Sequence, residues 1–290
     1  MIYESTHCNM PCYVLENESV QVKVLKDFGA KTASFVYKNT GHEFLFQPAK
    51  KRYDVPEFAD SFEKYDTSGI DDMLPTIDVG VYPNTRIKTN DHGDLWSKRW
   101  DMKVEKDKLI CSCSSEFPDL LLVRTMSLED SVLVLRYELK NNDSVDRYYI
   151  WAFHGLMNFD DETLLHFGEK SDIIDVTKIE KSDFDYNDLG AYEDGSSCKW
   201  YFKDEISKGL CGFYSKKTGL KLSYIYDTDI NKYLGVWVTK GGFKGEYNFA
   251  IEPCSGYYDS LERAFVNKKI SVIKKNETLN WYLKLKIEEV

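Results

Sequence analysis

An all-β fold of large antiparallel sheets with few short helices is what this sequence predicts, on three observations. Apolar residues recur at every second position along the chain, as in Val20/Val22/Val24, Leu133/Leu135/Tyr137/Leu139, Leu220/Leu222/Tyr224/Tyr226 and Trp281/Leu283/Leu285/Ile287. Such alternation puts one face of a strand in a core and the other in solvent. Turn signals separate these runs at Lys38-Asn39-Thr40-Gly41, Lys216-Lys217-Thr218-Gly219 and Lys274-Lys275-Asn276-Glu277. Helical periodicity is weak and confined to short pieces near residues 57–65 and 260–266. No linker or internal repeat divides the chain, so one domain over residues 1–290, built from two packed sheets, is expected.

Composition narrows the partners. The chain has 38 basic and 48 acidic residues, a net charge of −10, which excludes nucleic acid and anionic membrane as main partners. The 20 Tyr, 16 Phe and 6 Trp suit a strand-rich carbohydrate-binding protein and equally an aromatic core. Seven scattered cysteines, an odd number, argue against a disulfide framework. Residues 1–14 lack a basic n-region and apolar h-region, and no run of about 18 apolar residues marks a membrane span. A cytoplasmic protein with free thiols is expected, as a monomer or a homodimer.

Taken along the chain, chemistry gathers at strand ends. The stretch Gly69-Ile70-Asp71-Asp72-Met73-Leu74-Pro75 sets two carboxylates before a proline. In Asn90-Asp91-His92-Gly93-Asp94-Leu95-Trp96, Gly93 permits a turn, Asp91 or Asp94 is placed to fix the His92 tautomer, and Trp96 offers a flat apolar face. In Tyr149-Ile150-Trp151-Ala152-Phe153-His154, the odd-numbered aromatics share a core face, and Ile150, Ala152 and His154 share the other. Residues 160–195 are acidic and less regular, a surface insertion whose carboxylates do not fit an EF-hand loop.

The strand running to Ile251-Glu252-Pro253 repeats the pattern of the His154 strand. Proline supplies no N–H, so pairing is expected to stop at Glu252, with Asn248, Ala250 and Glu252 on one face. Trp237 shares a face with Tyr233, Gly235 and Thr239, and Gly235 is expected to leave space beside the indole for a ligand ring. Each of these residues has a plain alternative: a hydrogen-bonded core histidine, a carboxylate in a salt bridge, a core tryptophan. Two terminated strands carrying complementary acid–base groups favour a site. A zinc site from His92, His154 and a carboxylate has no paired spacing behind it.

Together, Asp71–Ile77, Asp91–Trp96, the His154 strand, Leu234–Thr239, Ile251-Glu252-Pro253, Ser255-Gly256, Asp259-Ser260-Leu261 and the closing Trp281–Ile287 strand resemble the galactose mutarotase-like, or aldose 1-epimerase, family. The resemblance runs from about Val20 to the C-terminus. It implies a β-supersandwich that holds a sugar, and aldose 1-epimerase activity with no cofactor and no metal. It places Glu252 as general base, His154 as general acid and His92 as substrate-binding histidine. Asp72, Trp96 and Trp237 are expected as further sugar contacts. The sequence departs from the family where an upstream arginine and a further aspartate are found: Asp71-Asp72 stands in the first segment, and Arg86 lies in another context. A pentose such as deoxyribose, a sugar phosphate, or sugar binding without turnover stay open as alternatives. A glycosidase using Glu252 and Asp72 is a further reading. In the acid–base reading, Glu252 and His154 held close together favour each other's charged forms, so the Glu pKa falls and the His pKa rises.

Overall fold

The computed structural model describes residues 1–177 and 184–290. Among these residues, two large antiparallel sheets dominate. In spatial order the eleven-stranded sheet runs Ile2–His7, Met10–Glu16, Val20–Leu25, Thr32–Tyr37, Ile70–Met73, Ala152–Gly155, Tyr247–Cys254, Tyr233–Lys240, Ser196–Phe202 and Ile173–Asp175, with His42–Glu43 beside Thr32–Tyr37. The eight-stranded sheet runs Thr163–Phe167, Leu210–Ser215, Leu220–Tyr226, Thr278–Glu289, Val132–Asn141, Leu120–Glu129, Lys108–Ser114 and Asp101–Glu105. All four stripes read from the sequence lie on strands, and the turn signal at 216–219 joins Leu210–Ser215 to Leu220–Tyr226, with Gly219 in the left-handed region.

Alternation decides which face each residue takes. The main core lies between the sheets and combines Val22, Phe35, Trp151, Phe153, Val236, Val238, Phe249 and Ile251 with Leu122, Leu133, Leu135, Leu283 and Leu285. Each such side chain contributes about 1.5–3 kcal/mol on burial. On its other face the larger sheet carries a second cluster, including Met73, Ile150, Ala152, Tyr201, Tyr233 and Cys254, covered by Phe62, Trp96, Tyr257 and Leu261 from the connections. The expected helices are short. Phe62–Lys64 is a 3-10 turn, and the helix Leu261–Val266 starts at Ser260, whose Oγ accepts from the Arg263 N–H at 3.3 Å.

Two expectations need correction. The strand bearing Glu252 continues through Pro253 to Cys254. Its neighbour on that side pairs with it only at Ala152–Cys254, so no ladder bond demands an amide hydrogen at 253. The acidic stretch is also more regular than expected, because Thr163–Phe167 and Ile173–Asp175 form edge strands of the two sheets. The Ser-Asp-Phe-Asp-Tyr-Asn-Asp run at 182–188 lies partly outside the described residues. All seven cysteines are free, and six are buried. Among the described residues, no helix is long and apolar enough to cross a membrane.

Candidate active site

The outer face of the large sheet brings His154 and Glu252 together. Ala152 pairs with Cys254, and Met157 bridges Phe249. Both pairs keep the same antiparallel register, so His154 stands across from Glu252 on the neighbouring strand. The row extends in both directions. His154 also faces Asp71, Glu252 faces Gly235, and Gly235 faces Tyr201. Over this row lies a cavity of about 320 Å³ lined by Phe62, His92, His154, Lys199, Trp237, Asn248, Glu252 and Asp259, among others.

Lys199, not singled out from the sequence, organises the centre. In Ser196–Phe202 the residues Cys198, Trp200 and Phe202 enter the main core, which turns Lys199 and Tyr201 outward. The Lys199 ammonium donates to Glu252 Oε2 at 2.5 Å and lies 3.8 Å from Asp259 Oδ1. Asp259 in turn accepts from the Tyr201 hydroxyl. A lysine set between Cys198 and the aromatic run Trp200-Tyr201-Phe202 was the available signal. Gly235 has a different role from the one expected, since a Cβ there would approach the Tyr201 ring to 2.7 Å. The space beside Trp237 is thus taken by the tyrosine that holds Asp259.

His92 is held from both sides. Its Nδ1 lies 2.7 Å from Asp91 Oδ1, and its ring stacks on Phe62 at 4.1 Å. Asp91 Oδ2 accepts the Phe62 N–H at 2.9 Å and faces the Ser61 hydroxyl at 3.3 Å. With Nδ1 committed to the carboxylate, Nε2 is the nitrogen left for a ligand. His92 adopts φ 57°, and Gly93 follows at φ +74°, where a Cβ would meet the Leu74 carbonyl oxygen at 2.2 Å. Only glycine fits that turn. Asp94 is occupied elsewhere, accepting from Asn90 and the Glu116 N–H. The ring of His154 meets that of His92 edge-on, with centroids 5.4 Å apart.

Two expected sugar contacts are elsewhere. Asp72 shares the parity of Ile70 and points between the sheets, where Arg124 binds it at 2.6 Å and the Trp151 Nε1–H at 3.1 Å. Asp71 takes the outer face but is spent on a fully buried pair with Lys31. Trp96 is fully buried. Phe62 covers it edge-on at 5.0 Å, and its N–H donates to the Asp91 carbonyl at 2.9 Å. It supports the two residues that hold His92. Trp237 does line the cavity, half-buried, with Phe243 edge-on at 5.9 Å.

Charge states differ from the expectation of mutual stabilisation. Burial pushes the His154 pKa well down, and the positive charge of His92, Lys199 and Lys31 pushes it further. His154 is neutral at ordinary pH. Burial raises the Glu252 carboxylate above the usual range, with Lys199 opposing it. Burial works against the Lys199 ammonium, but Glu252 and Asp259 hold its pKa above the ordinary value. Burial would also raise Asp91, yet its hydrogen bond to His92 brings it below the usual value. The centre therefore contains an ion pair of unusually basic carboxylate with lysine, facing a neutral imidazole.

Three lining side chains leave buried polar atoms unpartnered: His154 Nδ1, Glu252 Oε1 and Asn248 Oδ1. Buried polar atoms are nearly always paired, and a polyhydroxylated ligand supplies such partners. Among the described residues, no three His, Cys, Asp or Glu side chains converge as metal ligands.

No family model matches the chain, and no curated protein sequence matches it. Solved structures do match. The Slr1438 protein from Synechocystis sp. PCC 6803 has a TM-score of 0.75 at 14 % identity, covering 100 % of this chain and 96 % of that one. A galactose mutarotase-like protein from Lactobacillus casei ATCC 334 gives 0.70 at 16 %, covering 96 % and 100 %. The GalM/aldose epimerase homologue from C. elegans gives 0.70 at 14 %, covering 96 % and 98 %. The fold is the galactose mutarotase-like fold. At such identities the likeness is one of architecture, and the mutarotase-like fold hosts its chemistry through individual side chains.

Proposed function

We propose that the protein is an aldose 1-epimerase that interconverts the anomers of a free aldose by acid–base ring opening. The carrying observation is the cross-strand placement of Glu252 and His154 on one cavity, with His92 beside them. About 320 Å³ is at the small end of ligand pockets and suits a monosaccharide rather than a chain. The fold neighbours include proteins described as galactose mutarotase-like and as an aldose epimerase homologue.

In this mechanism Glu252 takes the proton of the C1 hydroxyl. The C1 carbonyl forms as the bond from C1 to the ring oxygen breaks, and the ring oxygen receives a proton. Rotation about C1–C2 and closure on the other carbonyl face complete the exchange. Burial gives Glu252 the proton affinity a general base needs, and Lys199 fixes the carboxylate. His154 meets the ring oxygen as a neutral imidazole, polarising it by an N–H hydrogen bond, passing it that proton as the C1–oxygen bond breaks and taking it back on ring closure; a neutral imidazole placed this way acts as an electrophile. His92 is anchored through Asp91, which fixes the ring's tautomer and leaves Nε2 for the sugar. Trp237 offers an apolar face for sugar C–H bonds. The seven unpaired thiols fit a reducing cytoplasm.

The glycosidase reading built on the pair Glu252 and Asp72 fails, because Asp72 lies between the sheets on Arg124. Two-dimensional proton exchange NMR on a panel of free hexoses and pentoses tests the proposal. At least one should exchange anomers faster with the protein than in buffer. Saturable binding without acceleration of any would make the protein a sugar binder.

A further inference from the structure

The cavity's charge is lopsided. Six lining residues carry carboxylates: Glu63, Asp78, Asp91, Glu246, Glu252 and Asp259. Against them, Lys199 is the one lining lysine or arginine among the described residues, and its ammonium is already spent on Glu252 and Asp259. The other nearby cations are also committed. Lys31 is buried on Asp71, Arg124 on Asp72, and Lys244 lies 3.8 Å from Glu246. Of the lining carboxylates Glu63 is exposed, and among the described residues the Asp78 side chain accepts only from its neighbouring Val79 N–H at 2.8 Å.

A phosphate ester needs the opposite arrangement. It brings a charge of about −1.5 to −2 at neutral pH, and proteins bind it with free arginines, lysines or backbone N–H groups. We infer that this site takes uncharged and amino sugars and turns away phosphorylated and carboxylated ones. The inference rests on the aldose 1-epimerase reading for its reaction and adds the substrate's charge class. The hydroxyls of a neutral sugar match the unpartnered atoms of Glu252, His154 and Asn248. The ammonium of a 2-amino-2-deoxy sugar is attracted by the surplus carboxylates. The net charge of −10 acts in the same direction at longer range.

The test compares one aldohexose with its 6-phosphate, its 6-carboxylate and its 2-amino-2-deoxy analogue, measuring anomer exchange by NMR at low and high salt. A single-sign cleft changes encounter rates by about 10–10³-fold. The two anionic sugars should therefore show kcat/KM lower by at least about tenfold at low salt. The gap should narrow with salt and in the double variant Glu63→Gln/Asp78→Asn, and the amino sugar should match or exceed its parent. A phosphate ester turned over as fast as its parent at low salt overturns the inference while leaving the epimerase reading intact. So does a gap indifferent to salt and to the double variant, which marks steric exclusion. If no compound exchanges faster than in buffer, the epimerase reading fails. The charge preference is then decided by the Kd values of the same four compounds, and equal or tighter binding of the phosphate overturns it.

Discussion

His154 and Glu252 face each other across adjacent antiparallel strands, in a register fixed by Ala152–Cys254 on one side and Met157–Phe249 on the other. Each is flanked by a lysine pair: Asp71, on the strand next to His154, binds Lys31, and Lys199 binds Glu252 itself. Burial, with the charge of the two lysines added, keeps the imidazole neutral, and burial keeps the carboxylate basic against the pull of Lys199.

Lys199→Met should disable the site while largely preserving its shape. Removing one partner of a buried ion pair leaves the other unpaired and costs about 3–5 kcal/mol. Without its counter-ion Glu252 should hold its proton to higher pH. Denaturant unfolding should show the loss of stability, and the acid limb of kcat/KM should move up in pH. An unmoved acid limb would detach Lys199 from the base.

The pH profile follows from the directions of the two shifts. Glu252 must be ionised to act, and its raised pKa places the acid limb above that of a solvated carboxylate. His154 is already neutral there, its pKa being lowered, so no fall should occur where an exposed histidine loses its proton. Activity should rise through mildly acidic pH and stay level above neutrality. A fall near neutral pH that disappears in His154→Asn would show that a protonated His154 is required.

Asp91→Asn tests the anchoring of His92. The amide is nearly isosteric but no longer fixes which His92 nitrogen carries the proton, and kcat should fall by about 10²-fold. Stability should change little, because Asp91 is only half-buried. Normal kcat would leave His92 as a contact residue alone.

Much of this architecture was legible in the sequence, because strand alternation is a local signal. Val20–Leu25, Val132–Asn141, Leu220–Tyr226 and Thr278–Glu289 lie where the stripes place them. The same parity argument put His154 and Glu252 on the outer face. It did not assign Asp72, because both faces of Ile70–Met73 are buried and periodicity cannot rank two buried faces. Trp96 was misread because an indole next to a histidine has the same composition whether it touches a ligand or supports the residues that do. Lys199 was missed because its partners are distant in sequence, Glu252 being 53 residues away. The charge states were misjudged for want of Lys31 and of the depth of burial.

Trp237→Ala separates a sugar platform from a core residue. The indole is half-buried and lines the cavity, so KM should rise several-fold with little change in Tm. Trp96→Ala removes a fully buried indole and should cost about 3–5 kcal/mol. A collapse of Tm in Trp237→Ala with unchanged KM would reverse that assignment.

The most direct measurement compares wild type with Glu252→Gln on whichever free aldose the wild type exchanges fastest, with sugar binding followed in parallel. Removing the base should lower kcat by about 10²-fold or more, while Kd for the sugar changes only modestly. Anomer exchange at the wild-type rate in Glu252→Gln would contradict the account.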